Sequence, residues 1–214
     1  MKIICIAKNY PDHAAEMRPR ETFLPEGQSN VPTQPVIFLK PDSALLLKNQ
    51  PFFYPDFSQE VNYELEVVVR ISKVGKSIEP RFASRYYDAV ALGIDFTARD
   101  IQMKAKAKGQ PWALAKGFDG SAVLSNFVPV EELHKDVNNL DFHLLHNGNM
   151  VQKGNTSQMF FSIDTIISYV SQFMTLKTGD YLYTGTPAGV GPVQIGDKLE
   201  GFLEGEKMLE CNIK

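Results

Sequence analysis

Two glutamates separated by one residue, in Tyr63-Glu64-Leu65-Glu66-Val67-Val68-Val69, are the part of this sequence best equipped for chemistry. The run is rich in β-branched residues and reads as a strand. Side chains alternate along a strand, so Glu64 and Glu66 face one way while Leu65 and Val67 face the other. Two like charges on one face repel, and burying either is costly unless a counter-charge is present. A divalent cation removes both penalties. Asp95 supports that reading: it ends the apolar run Ala91-Leu92-Gly93-Ile94-Asp95, where solvation is poor, and Gly93 permits close backbone approach. Glu64, Glu66 and Asp95 are therefore candidate ligands for a hard cation such as Mg2+, Mn2+ or Ca2+. Zinc is disfavoured, because no His or Cys accompanies them. A solvated strand face is the competing explanation of the two glutamates.

A second pair is His13 and Glu16, spaced i, i+3, which share one face of a helical turn and can touch. A carboxylate beside a histidine fixes its tautomer and raises its basicity, as a general base for water requires. Further along, Thr184-Gly185-Thr186-Pro187 offers hydroxyls and backbone N–H groups to which a substrate carboxylate could dock; a plain tight turn is the alternative. His134, His143 and His146 read as surface or hairpin residues.

These groups must be positioned by a β-rich scaffold. A strand is expected over 2–7, followed by a short helical turn opened by Pro11 and Asp12. Residues 18–35 hold four prolines and Gly27 and read as a long loop, of the kind that forms lids or plain connections. Strands follow at 35–40, 61–72 and 89–95, with Thr97 as an N-cap for a helix through Ala107 and Asp100 in its first turn. Asn147-Gly148 between 141–146 and 149–153 marks a two-residue hairpin. Ser162 caps a helix through Met174 with Ile163, Ile166, Ile167 and Val170 on one face. Strands at 181–184, 198–203 and 207–213 complete the chain. The fold class is α+β with a mixed sheet; regular βαβ alternation, and with it a Rossmann-type fold, is absent.

At 214 residues the chain fits one catalytic domain, 1–214. A net charge of -3 gives no basic footprint for nucleic acid or an anionic membrane, and no apolar run is long enough to span a bilayer. Cys5 and Cys211 form no CxxC unit and read as buried free thiols, which with the missing leader pattern suggests the cytoplasm.

With these residues in view, the chain resembles the fumarylacetoacetate hydrolase family, in particular its short acylpyruvate hydrolase branch. The resemblance is carried by six segments in order: 8–17 (KNYPDHAAEM), 38–41 (FLKP), 63–66 (YELE), 93–100 (GIDFTARD), 112–116 (WALAK) and 184–191 (TGTPAGVG). It implies a β-rich, partly rolled mixed sheet, usually dimeric, with Mg2+ or Mn2+ held by Glu64, Glu66 and Asp95. It also implies that His13 and Glu16 act on water, that Lys116 is a pocket lysine, and that Arg18, Arg99, Gln102 and Thr186 contact substrate.

The substrates so implied are 2-oxo acids with a second carbonyl. Such an acid can chelate a cation through carboxylate and keto oxygens, and the metal can stabilise the enolate left when the adjacent C–C bond breaks. Lys116 adds positive charge where that enolate develops. The leading expectation is hydrolysis of an acylpyruvate. The alternatives are oxaloacetate decarboxylation or keto–enol tautomerisation through the same enolate, and a non-enzymatic protein that binds a metal or a dicarboxylate.

Overall fold

The computed structural model describes residues 1–17, 31–47 and 50–214. Three sheets are built around one ribbon, formed by the segment expected as a single strand over 61–72 and the segment that ends at Asp95. The ribbon keeps one antiparallel register from Leu65 opposite Ile94 to Val61 opposite Ala98. It is nevertheless divided, with Val61–Tyr63 and Leu65–Ile71 on one side and Tyr87–Asp95 and Thr97–Ala98 on the other. The division falls at Glu64 and Phe96. There the Leu65 N–H turns to Gln152 Oε1 at 2.9 Å, and the Phe96 N–H turns to the Ser121 carbonyl at 2.9 Å. The expected single strand is thus two strands in different sheets; across the division the Asp95 N–H still reaches the Glu64 carbonyl, while the Leu65 and Phe96 N–H groups point away from the ribbon and find their partners outside it.

The long half of the ribbon lies in an eight-stranded mixed sheet. Leu65–Ile71 pairs with Tyr87–Asp95 on one side and with Tyr181–Tyr183 on the other. Tyr181–Tyr183 runs parallel to Ile3–Ala7, and Leu45–Leu47 runs parallel to Ala122–Leu124. The short half pairs with Gly191–Pro192 in a three-stranded sheet. A four-stranded antiparallel sheet places Asp141–His146 between Asn149–Asn155 and Lys198–Leu203, with Glu206–Asn212 outside. The expected α+β class and mixed sheet are both present.

Strand alternation explains the layers. Leu65, Val67 and Val69 enter the main core with Leu92, Phe142, Leu144 and Leu199, whereas Val68 packs on the opposite face with Ile3, Cys5, Ala91 and Tyr183. The helix Ile163–Phe173 buries Ile163, Ile166, Ile167 and Val170, and Ser162 Oγ accepts the Thr165 N–H, as expected from its pattern. The Asn147-Gly148 hairpin forms with both residues at positive φ, 50° and 82°. Cys5 and Cys211 are buried free thiols. No helix among the described residues is long and apolar enough to cross a membrane.

The expected cap of the next helix is corrected. That helix runs Arg99–Ala107 with Ala98 at the N-cap position and no side-chain cap. Thr97 lies in the preceding two-residue strand, and its hydroxyl donates to Glu64 Oε1 at 3.0 Å. A buried carboxylate has claimed the hydroxyl that would otherwise cap the helix.

Candidate functional site

The ribbon register is what assembles the acids. Asp95 stands across from Glu64, with its N–H donated to the Glu64 carbonyl at 2.9 Å. Glu66 lies two residues along the same face, opposite Gly93. A side chain at Gly93 would run into the Tyr183 ring, 2.5 Å from an added Cβ, so this glycine makes room for a ring rather than for backbone. Glu64, Glu66 and Asp95 each offer an oxygen within 4.8 Å of the other two, and all three are buried. The solvated-face explanation therefore fails.

Cations surround two of the three acids. Lys116 Nζ bridges Glu64 Oε2 at 2.9 Å and Asp95 Oδ2 at 2.6 Å, and Arg99 Nη2 lies 2.6 Å from Glu64 Oε1. Burial opposes the Glu64 charge, but Lys116 and Arg99 outweigh it and hold that carboxyl well below the usual range. Burial likewise opposes the Lys116 charge, and the Asp95 and Glu64 carboxylates more than restore it. Glu66 is different. Its only hydrogen bond among the described residues comes from the Gly185 N–H at 2.7 Å, and burial, then Asp95 and Glu64, push its carboxyl well above the ordinary value. A buried, under-compensated carboxylate converging with two others is the arrangement a divalent cation completes, and the all-oxygen donor set suits a hard one. The residues present fit such an ion.

Lys40 lies in the 38–41 segment, where the sequence gives it no role. Its ammonium is fully buried and donates to the Ser121 carbonyl and hydroxyl, both at 3.0 Å, and to the Lys116 carbonyl. It also lies 2.7 Å from Asp95 Oδ1, an ion pair rather than an aligned hydrogen bond. Lys40 thus fixes both the far oxygen of Asp95 and the backbone that carries Lys116. A buried lysine is legible only when its surroundings are known.

His13 and Glu16 meet on the helix Pro11–Met17, with Nδ1 3.5 Å from Glu16 Oε2. His13 lines the same cavity as Glu64, Glu66 and Lys116. The Gly189 N–H reaches both Glu16 oxygens, at 3.3 and 3.2 Å. Burial raises the Glu16 carboxyl, but hydrogen bonds from His13, Gly189 and Val190 together hold it below its ordinary value. The 184–191 segment therefore anchors one acid from Gly185 and another from Gly189. Both glycines have positive φ, 102° and 95°, and an added Cβ would lie 2.8 Å from Asn9 Cβ and 2.0 Å from the Val151 carbonyl oxygen respectively. Asn9, also overlooked in sequence, ties the segment down by donating to the Thr184 carbonyl at 2.8 Å.

The expectation for Thr184-Gly185-Thr186-Pro187 is partly corrected. The Thr184 hydroxyl donates to the Val67 carbonyl at 2.8 Å and the Gly185 N–H to Glu66, so neither faces a ligand. Thr186 does line the cavity, as do Arg99 and Gln102, and Arg99 Nη1 donates to Gln102 Oε1 at 2.6 Å. Lys8, Lys106 and Trp112 line it too, with an apolar part from Ile6, Met17 and Phe38. Of Trp112 to Ala115, only Trp112 lines the cavity; Ala115 is buried and Leu114 is exposed. Arg18 lies outside the described residues. Of the remaining histidines, His134 is exposed, His143 stacks on Phe202, and His146 pairs with Asp197.

Residues 2–214 match the family model described as fumarylacetoacetate (FAA) hydrolase C-terminal. The chain belongs to the fumarylacetoacetate hydrolase family. It is 42% identical to oxaloacetate tautomerase FAHD1, mitochondrial, of Bos taurus, over 99% of this chain and 91% of that one. Oxaloacetate decarboxylase, mitochondrial, of Dictyostelium discoideum is 38% identical over 95% of this chain and 89% of its own length. The crystal structure of fumarylpyruvate hydrolase from Pseudomonas aeruginosa in complex with Mn2+ and pyruvate matches with a TM-score of 0.89 at 31% identity, covering 100% of this chain and 89% of that one. The family thus spans tautomerase, decarboxylase and hydrolase names on this fold, and one solved relative binds Mn2+.

Proposed function

We propose that this protein is a divalent-metal-dependent enzyme that forms the enolate of a 2-oxo dicarboxylate, with oxaloacetate tautomerisation or decarboxylation as its reaction. The carrying observation is the meeting of a His–Glu pair with a buried carboxylate triad, whose Glu66 is under-compensated, at one cavity lined by His13, Glu64 and Glu66 together with the cations Lys8, Arg99, Lys106 and Lys116. Glu64, Glu66 and Asp95 are the proposed ligands of Mg2+ or Mn2+. When bound, such an ion supplies Lewis-acid stabilisation of negative charge on the keto oxygen.

Glu16 at Nδ1 keeps the His13 proton there and leaves Nε2 free for the carbon beside the keto group, to take its proton in tautomerisation or, once protonated, to return one to the enolate left as CO2 departs in decarboxylation. Lys116, held charged by Glu64 and Asp95, places positive charge where the enolate oxygen develops. Lys8, Lys106 and the Glu64-paired Arg99 also line the cavity, and this positive charge favours a second carboxylate on the substrate over a simple acyl group. The Bos taurus and Dictyostelium discoideum relatives are named for oxaloacetate chemistry, which agrees with that preference.

A second reading is C–C hydrolysis of an acylpyruvate, with the same pair directing water at the distal carbonyl. The fumarylpyruvate hydrolase relative supports it. Turnover of oxaloacetate and of acetylpyruvate, with Mn2+ or Mg2+ and then with EDTA, separates the two. Metal-dependent keto–enol interconversion of oxaloacetate, reduced about 10²–10⁴-fold in His13→Ala, or metal-dependent release of CO2 and pyruvate from it, is the expected result. Metal-dependent acetate and pyruvate from acetylpyruvate would assign the hydrolase instead. No metal-dependent turnover of either would sink the substrate class.

A further inference from the structure

Gln152 belongs to the hairpin strand Asn149–Asn155, outside every motif read from the sequence, yet its amide is buried against the site. Its Oε1 accepts the Leu65 N–H at 2.9 Å, between the two glutamates of the triad. Its Nε2 donates to the Pro187 carbonyl at 2.9 Å and to Thr186 Oγ1 at 2.8 Å. The amide cannot flip, because a backbone N–H must meet its oxygen and a backbone carbonyl must meet its nitrogen. Thr186 Oγ1 is therefore an acceptor towards the protein. Its own proton cannot point back at Gln152, and no acceptor for it is present among the described residues. Thr186 lines the cavity alongside the donors Arg99 and Lys116.

The geometry points to Gln152 as a positioning residue that fixes the Thr186 hydroxyl as a hydrogen-bond donor to an oxygen of the bound 2-oxo acid. The inference rests on the proposed function, since it needs an anionic ligand in that cavity. The same side chain links the four-stranded sheet to the division in the ribbon, so it sets both the Leu65 backbone and the donor that faces the substrate.

The test uses the Mn2+-loaded protein with pyruvate as calorimetric ligand and oxaloacetate as substrate. Gln152→Glu is isosteric and still accepts from Leu65, but its second oxygen draws the Thr186 proton away from the cavity. We expect pyruvate to bind about tenfold more weakly and the KM for oxaloacetate to rise similarly, with kcat within about twofold. Thr186→Val should show the same loss, and adding Gln152→Glu to it should change little, because the two act through one hydrogen bond. Gln152→Met keeps the volume without the donor; should Gln152→Glu disturb the fold, it carries the test with a loss in the same direction.

A folded Gln152 variant that binds pyruvate within about twofold of the wild type would overturn the inference. So would losses that multiply in the double variant, since Gln152 would then act by another route. If wild-type protein fails to bind pyruvate, the proposed function falls first and this inference with it. Wild-type binding with indifferent Gln152 variants removes this inference alone.

Discussion

Replacing Glu66 by glutamine should strengthen the metal-free protein while removing its response to metal. Glu66 is 2% exposed, and burial together with Asp95 and Glu64 raises its carboxyl well above the ordinary value of 4.5. Above that ordinary value the unfolded chain has released the proton and the folded chain still holds it. Folding then takes up a proton, so wild-type stability falls with rising pH until the raised folded value is passed. The decline is about 1.4 kcal/mol per pH unit in that window. Glutamine has no proton to lose, keeps an oxygen for the Gly185 N–H, and turns an N–H towards the neighbouring acids. In EDTA, Glu66→Gln should therefore exceed wild type by a margin growing about 1.4 kcal/mol per pH unit, or roughly 3–6 °C in Tm. Metal reverses the order. At a Mn2+ concentration a hundredfold above Kd the wild type gains about 2.7 kcal/mol, which a variant lacking one of three ligands forgoes. Urea unfolding at two pH values, each with EDTA and with Mn2+, measures all four quantities. A metal-free variant less stable than wild type, or a margin indifferent to pH, would refute the reasoning about Glu66. An undiminished Mn2+ gain in the variant would refute the ligand assignment.

Two further substitutions probe the supports of the site. Lys40→Met leaves Asp95 Oδ1 without its buried cation and takes one of two donors from each of the Ser121 and Lys116 carbonyls. A loss of about 3–5 kcal/mol in urea unfolding is expected, and a loss under about 1 kcal/mol would show that Lys40 is dispensable. Gly189→Ala forces a side chain at φ 95° and sets its Cβ 2.0 Å from the Val151 carbonyl oxygen, so the turn must move and Glu16 loses its backbone anchor. A stability loss above about 1 kcal/mol with a slower proton-transfer step is expected, and unchanged kcat in a folded variant would mean that Glu16 needs no anchor.

The sequence by itself determined the pieces that depend on local spacing. Alternation put Glu64 and Glu66 on one face, helical spacing brought His13 to Glu16, and Asn147-Gly148 and Ser162 closed a hairpin and capped a helix where expected. Each is a short-range consequence of backbone geometry and needs no knowledge of what lies across the chain.

Tertiary structure decided the rest, because those features depend on which segments become neighbours. Only the ribbon register sets Asp95 opposite Glu64, and only the neighbours on either side place the two halves of what reads as one strand in different sheets. Thr97 resembles a helix cap until Glu64 is found beside it. Nothing in the local sequence gives Lys40, Asn9 or Gln152 a role. Their importance lies in hydrogen bonds that span 56 to 175 residues of sequence, formed because a buried charge or amide must find its partners wherever the fold supplies them.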